Sequence, residues 1–262
     1  MVTILPPDQR PPWDQLAPMP KSLASDRHPT IVGHRGASGL APENTLAAFQ
    51  VAADLHVDGV EFDVQRTTDG HLIVFHDDEL DRVTDGQGLV YERALAELKA
   101  LDAGAKFDAR FRGERIPTLA ETFDLLRNTD LLLFIELKDP WRFPGMEQEV
   151  ADLIHRYDLV ERAQVRSFYH ASLHTFFHVA PDISLSSLWY ERVPDDHEVT
   201  FKVIDVLYAL LSHDNIAHVH ERGQLITAWT VDNPDEARRL MEAGIDGLCT
   251  NYPDRLLALF EQ

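Results

Sequence analysis

The sequence predicts an α/β chain folded as a (β/α)8 barrel of the TIM type, with a small insertion after strand 2. Three observations lead there. The chain has 262 residues, near the ~250 typical of one such barrel. From Thr30 onward, short apolar runs alternate with amphipathic stretches, the signature of strand–helix units. Eight such units can be counted, and eight close a barrel more naturally than they build an open doubly wound sheet, the structural alternative.

The elements follow in order. Residues 1–29 carry Pro6, Pro7, Pro11, Pro12, Pro18 and Pro20 and read as an irregular arm on the surface, pinned by Trp13. The single barrel domain is expected over 30–262. Ile31 to His34 is a buried strand, and Asn44 is the expected cap of a helix whose Leu46, Phe49 and Ala53 share a face. Val60 to Gln65 is the second strand. After the turn at Thr67–Gly70, His71 to His76 runs back as an extended segment. An insertion spans 77–117, with a short helix from Leu95 to Leu101. Thr118 and Glu121 form a capping box. Strands follow at Leu131–Leu137, Gln164–Phe168, Ile183–Leu188, Lys202–Leu207, Leu225–Thr230 and Gly247–Thr250. Ser212 is a candidate cap for the helix ending near Gly223. Asn233 and Pro234 open the next, which stops at Gly244, and Arg255 to Phe260 is the last.

Composition narrows the function. The net charge is −20, so duplex nucleic acid, which needs a basic face, is excluded as a partner, and anionic membrane surfaces are disfavoured. No run of ~18 apolar residues exists, so no membrane-spanning helix is expected. The lone Cys249 forbids an internal disulfide and reads as a small buried hydrophobe. Pro6, Pro7 and Asp8 interrupt the stretch where a secretory leader would be apolar, so the expected location is cytoplasmic.

Chemistry concentrates at the strand ends, where such barrels place their active sites. His34 ends strand one. Glu61 and Asp63, two apart on strand two, point the same way, and Glu136 and Lys138 share that spacing on strand three. Carboxylates buried together repel unless paired or metal-bound, and a hard divalent cation resolves the conflict. Oxygen ligands favour Mg²⁺, Ca²⁺ or Mn²⁺ over zinc. Ordinary strand-end ion pairs explain any one of these residues better than they explain the set. In an acidic chain, a bound anion needs local cations, and Arg35 and Lys138 supply them.

On these residues the chain resembles the glycerophosphodiester phosphodiesterase family over about residues 30–258. The resemblance rests on His34-Arg35-Gly36, Pro42-Glu43-Asn44-Thr45, Glu61-Phe62-Asp63-Val64 and Thr68-Asp69-Gly70. His76-Asp77, Leu101-Asp102-Ala103-Gly104, Ile116-Pro117-Thr118-Leu119 and Glu136-Leu137-Lys138 continue it. Trp229-Thr230-Val231-Asp232 and Gly244-Ile245-Asp246-Gly247 complete it. It implies a barrel with an insertion after strand 2, and metal-dependent hydrolysis of a small glycerophosphodiester to sn-glycerol 3-phosphate and an alcohol. It also implies Glu61, Asp63 and Glu136 as metal ligands, His34 and His76 as the acid–base pair, and Arg35 and Lys138 on the phosphoryl oxygens. Which histidine is the base stays open.

Other features weigh less. Trp229 and Phe168 are candidate walls of the substrate pocket. Glu43 is expected to make structural hydrogen bonds behind the site, and Asp77 either orients a neighbour or starts the insertion. His170, His174 and His178 recur every four residues; a solvated helix face is expected there rather than a metal clip. Tyr169-His170 after Phe168, and Asn251 where the family often has Asp, depart from the pattern. Leu80, Leu89, Leu95, Leu98, Phe107 and Phe111 either line an apolar entrance or form the insertion's own core. The entrance would suit the alternative activity, a lysophospholipase D. A non-catalytic phosphodiester-binding barrel is a distant alternative, since it would be marked by loss of His34, His76 or a metal carboxylate.

Overall fold

In the computed structural model, residues 15–18, 28–196, 198 and 200–260 are described. Their strands are β1 (Thr30–Gly33), β2 (Gly59–Arg66), β3 (Leu72–Val74), β4 (Leu132–Leu137) and β5 (Ala163–Ser167). They continue with β6 (Ser184–Trp189), β7 (Val203–Leu207), β8 (Leu225–Trp229) and β9 (Gly247–Thr250). All except β3 pair in parallel, and β1 pairs with both β2 and β9, so eight strands close a barrel. The open-sheet alternative is thereby excluded. β3 is the extra strand; it turns back antiparallel on the end of β2, with Val64 opposite Val74.

The helices are α1 (Leu46–Asp54), α2 (Leu95–Ala100), α3 (Leu119–Leu126) and α4 (Met146–Arg156). α5 (His170–Val179), α6 (His213–Glu221), α7 (Pro234–Glu242) and α8 (Pro253–Leu257) follow. The main core lies between barrel and helices. There Phe62 of β2 meets Phe49 of α1 and Phe123 of α3 edge-on, at ring separations of 5.5 and 6.4 Å. Each such buried ring contributes about 1.5–3 kcal/mol. None of the described helices is long and apolar enough to cross a membrane.

Several expectations need correction. Thr45, not Asn44, caps α1, its hydroxyl accepting from Ala48 N; Asn44 has φ 55° and turns inward. Between β6 and β7 no helix forms among the described residues, so one of the eight units lacks its helix. The last helix starts at Pro253, before Arg255. His170 and His174 are buried, and only His178 faces solvent. The His170 ring lies 4.7 Å from Trp189, and its Nε2 donates to Leu188 O at 3.3 Å; His174 packs on Phe201. A four-residue period identifies a shared face without saying which way it points. Most of the proline-rich arm, including Trp13, lies outside the described residues. Within the short described piece, Leu16 is buried and its carbonyl accepts from Lys202 Nζ at 2.9 Å.

The insertion forms its own core from Leu80, Val90, Leu98, Ala103 and Ile116, set against Ile73 and Phe75. Leu80 and Leu98 are consumed there and do not line an entrance. Phe107 is exposed, with its ring edge-on to Phe111.

Candidate active site

Residues of β2 and β4 bring three buried carboxylates together. Glu61, Asp63 and Glu136 each offer an oxygen within 4.8 Å of the others. Register explains this: Asp63 sits beside Glu136 across the β2–β4 pair, and Glu61 is one pleat back on the same face. The turn after β1 then wraps Glu61. Arg35 (φ 54°) and Gly36 (φ 81°) both take the left-handed conformation, costly for Arg and easy for Gly. The result aims Arg35 N at Glu61 Oε2, at 3.0 Å, and Gly36 N at Glu61 O, at 3.2 Å. A side chain at Gly36 would strike the Ala48 backbone at 2.7 Å.

Two cations rest on the cluster. Lys138 Nζ lies 3.0 Å from Glu136 and 3.8 Å from Asp63. Arg35 Nε lies 3.5 Å from Asp63, and Arg35 Nη1 donates to Glu43 at 2.8 Å. Asn44 Nδ2 donates to Asp63 at 2.8 Å. Burial alone would raise Asp63, but Arg35, Lys138 and His76 outweigh it and hold this carboxylate well below its usual range. Burial, with repulsion from Asp63 and Glu136, pushes Glu61 well above its own. Burial would lower Lys138, yet Glu136 and Asp63 raise it.

The two histidines have different partners. His34 Nδ1 donates to Asn251 Oδ1 at 2.7 Å. The amide orientation is fixed because Asn251 Nδ2 donates to the Asp232 carboxylate, also at 2.7 Å. Nε2 of His34 is left facing the cluster, 3.9 Å from Glu61. Burial and then Arg35 lower His34 to about 4, so the ring is neutral at pH 7. His76 Nδ1 donates instead to a carboxylate, Asp77 Oδ1, at 2.6 Å. Gln65 Nε2 ties down the carbonyls of Phe75, His76 and Asp77 at 2.9–3.1 Å.

One cleft joins His34, Arg35, Glu61, His76 and Glu136 to Arg166, Phe168 and Trp229. Phe168 and Trp229 meet edge-on at 5.5 Å, and Trp229 Nε1 is buried without a hydrogen-bond partner among the described residues. The structure thus gathers His34, His76, Arg35, Glu61, Asp63, Glu136, Phe168 and Trp229 at one place, and Lys138 at its edge.

The family model of the glycerophosphoryl diester phosphodiesterase family matches residues 34–255. The chain belongs to that family. A glycerophosphodiester phosphodiesterase of Caldanaerobacter subterraneus subsp. tengcongensis is 38% identical over 234 residues, covering 87% of this chain and 96% of that protein. One from Bacillus altitudinis is 34% identical over 240 residues, covering 88% and 98%. A phosphodiesterase structure from Oleispira antarctica, in complex with the product sn-glycerol-3-phosphate, matches with TM-score 0.82 and 29% identity, covering 90% of this chain and 98% of that one.

In this phosphodiesterase-family chain, several residues around the site escaped sequence reasoning. Asn251 and Asp232 behind His34 are two; Asn251 was visible only as a departure from pattern. Arg82, from the insertion, donates to Asp77 and Glu43. Glu43 therefore does sit behind the site, as expected, and Asp77 orients its neighbour. Arg166 and Asp205 form a buried pair at 3.2 Å inside the barrel, hidden because fully buried strands show no polar alternation.

Proposed function

We propose that the chain hydrolyses glycerophosphodiesters to sn-glycerol 3-phosphate and an alcohol, with a divalent metal held by Glu61, Asp63 and Glu136. The single observation that carries the reading is the buried cluster of Glu61, Asp63 and Glu136, whose oxygens lie within 4.8 Å of one another. Carboxylates buried this close repel one another unless a cation joins them, and the all-oxygen donor set suits Mg²⁺ or Ca²⁺, with Mn²⁺ next. When bound, the metal supplies Lewis-acid polarisation of the phosphoryl oxygen. The names of the relatives and the product held by the Oleispira protein support the substrate class.

Each residue then has a task. Arg35 and Lys138 hold the non-bridging phosphoryl oxygens and offset charge that grows in the transition state. His34, bonded through Nδ1 to a neutral amide, keeps Nε2 free to take a proton from the water that attacks phosphorus as the bond to the leaving alkoxide breaks. His76 backs onto the Asp77 carboxylate, a partner that suits a ring carrying the proton for the leaving alkoxide. The unpartnered Trp229 Nε1 offers a donor to a glycerol hydroxyl, and Phe168 closes that wall. The lone buried Cys249 fits a cytoplasmic setting, where thiols stay reduced.

The test is turnover of glycerophosphocholine with release of sn-glycerol 3-phosphate. A chelator abolishes it, and Mg²⁺, Ca²⁺ or Mn²⁺ restores it. His34→Ala abolishes it with the fold intact; full activity in that variant, or in stripped enzyme, overturns the reading. His76→Ala loses about 10²–10⁴-fold on glycerophosphocholine. Far less is lost on a p-nitrophenyl ester, whose leaving group needs no proton. Equal losses on both substrates would reverse the acid and base roles.

A further inference from the structure

The insertion holds a residue that reaches two parts of the machinery at once. Arg82 is half exposed, yet each of its three nitrogens is committed. Nε donates to Asp77 Oδ2 at 2.5 Å. Nη1 and Nη2 grip Glu43 Oε2 and Oε1 at 2.7 and 2.6 Å. Asp77 is the carboxylate bonded to His76 at 2.6 Å, and Glu43 the one bonded to Arg35 at 2.8 Å. One guanidinium thus sits one residue away from both a histidine and an arginine of the site.

The insertion fixes Arg82 from both sides. Leu80 is buried in its core, and Thr84, also buried, donates to Leu80 O at 2.7 Å. Lys106 donates to Asp81 O between them. A stability role explains this poorly, since exposed ion pairs contribute only about 0–1 kcal/mol. Planar two-point capture of Glu43, with a third bond to Asp77, is a geometric specification that arginine can meet and lysine cannot.

We infer that Arg82 is a positioning residue: it locks Asp77 onto His76 and shares Glu43 with Arg35, so the insertion completes the active site. Without it, Asp77 is free to rotate off His76. Glu43, no longer shared, holds Arg35 more tightly and weakens its answer to the charge that grows in the transition state. Arg82 touches no reacting atom, so its effect falls on the chemical step. The inference rests on the roles given above to His76 and Arg35.

The experiment compares wild type, Arg82→Ala and Arg82→Lys on glycerophosphocholine at saturating metal, with melting temperature and metal affinity measured alongside. In Arg82→Ala, kcat falls about ten- to hundredfold, while KM, melting temperature and metal affinity change little. Added guanidinium at millimolar concentration restores part of the rate; methylammonium at the same concentration does not. Arg82→Lys stays as slow as the alanine variant. A wild-type kcat in Arg82→Ala overturns the inference, and so does a loss that guanidinium leaves untouched. His76→Ala and Arg35→Ala run in parallel. If both keep wild-type turnover, the underlying roles fail. If both lose it while Arg82→Ala does not, only the role of Arg82 fails.

Discussion

The barrel interior holds two buried polar clusters, and they are built on opposite rules. On the side of β2 and β4, Glu61, Asp63 and Glu136 crowd together, with Arg35 and Lys138 only partly offsetting them. On the side of β5 to β8, Arg166, which also reaches the cavity and stands beside Glu136 across the β4–β5 pair, pairs with Asp205, which accepts in addition from Ser186 at 2.5 Å and from Thr227. Arg166 donates to Gln164 at 2.8 Å and lies 4.5 Å over the Phe134 ring. The second cluster balances one cation with one anion. The first sets three carboxylates against two cations, and burial together with its acidic neighbours pushes Glu61 up. Buried charge that balances itself is architecture; buried charge left in excess awaits something else.

Substitutions can separate the two. Glu61→Gln removes a proposed metal ligand, and turnover falls on the order of a thousandfold, the worth of several kcal/mol of transition-state stabilisation. Its stability should move the other way. The folded state raises Glu61 above the ordinary value of 4.5, so it holds that proton more tightly than the unfolded chain. As pH rises past that value, the metal-free wild type loses stability that the Gln variant keeps. Chemical denaturation at several pH values reads the difference. A Gln variant that is active but unstable would make this cluster ordinary structure.

Asp205→Ala should do the reverse. It leaves Arg166 buried without its counter-ion, at a cost of about 3–5 kcal/mol in unfolding free energy. Molecules that remain folded still turn over substrate, as activity titrated against folded fraction would show. Unchanged stability would mean that water already neutralises Arg166.

Trp229→Phe is the smallest change. It keeps the wall and removes one donor, worth about 0.5–1.5 kcal/mol. It should appear as a severalfold drop in kcat/KM on glycerol-containing diesters and vanish on a diester lacking the glycerol hydroxyls. A drop of equal size on both would leave Trp229 as packing.

The strands were legible because their apolar runs are short and bounded. The carboxylate cluster was legible because period-two spacing, as in Glu61 and Asp63, puts both side chains on one face of a strand. What stayed hidden depends on distance along the chain. Arg82 meets Glu43 across 39 positions, and nothing local marks either as a partner. Asp205 sits in an apolar strand with its partners on other strands. At Asn44 the error was one residue: it looks like a helix cap, but Thr45 takes that place and Asn44 serves Asp63. Its polar side chain fits either task, and tertiary contact decides.

The bond from His34 to Asn251 spans 217 positions and joins the beginning of the barrel to the residue just past its last strand. Proteins begin folding while still being made, amino-terminal parts first. β1 also pairs with β9 along its whole length, so the segment leading into His34 and Arg35 gains its second neighbour only with the last strand. Until β9 and Asn251 leave the ribosome, the barrel stays open and the ring lacks the bond that fixes its tautomer.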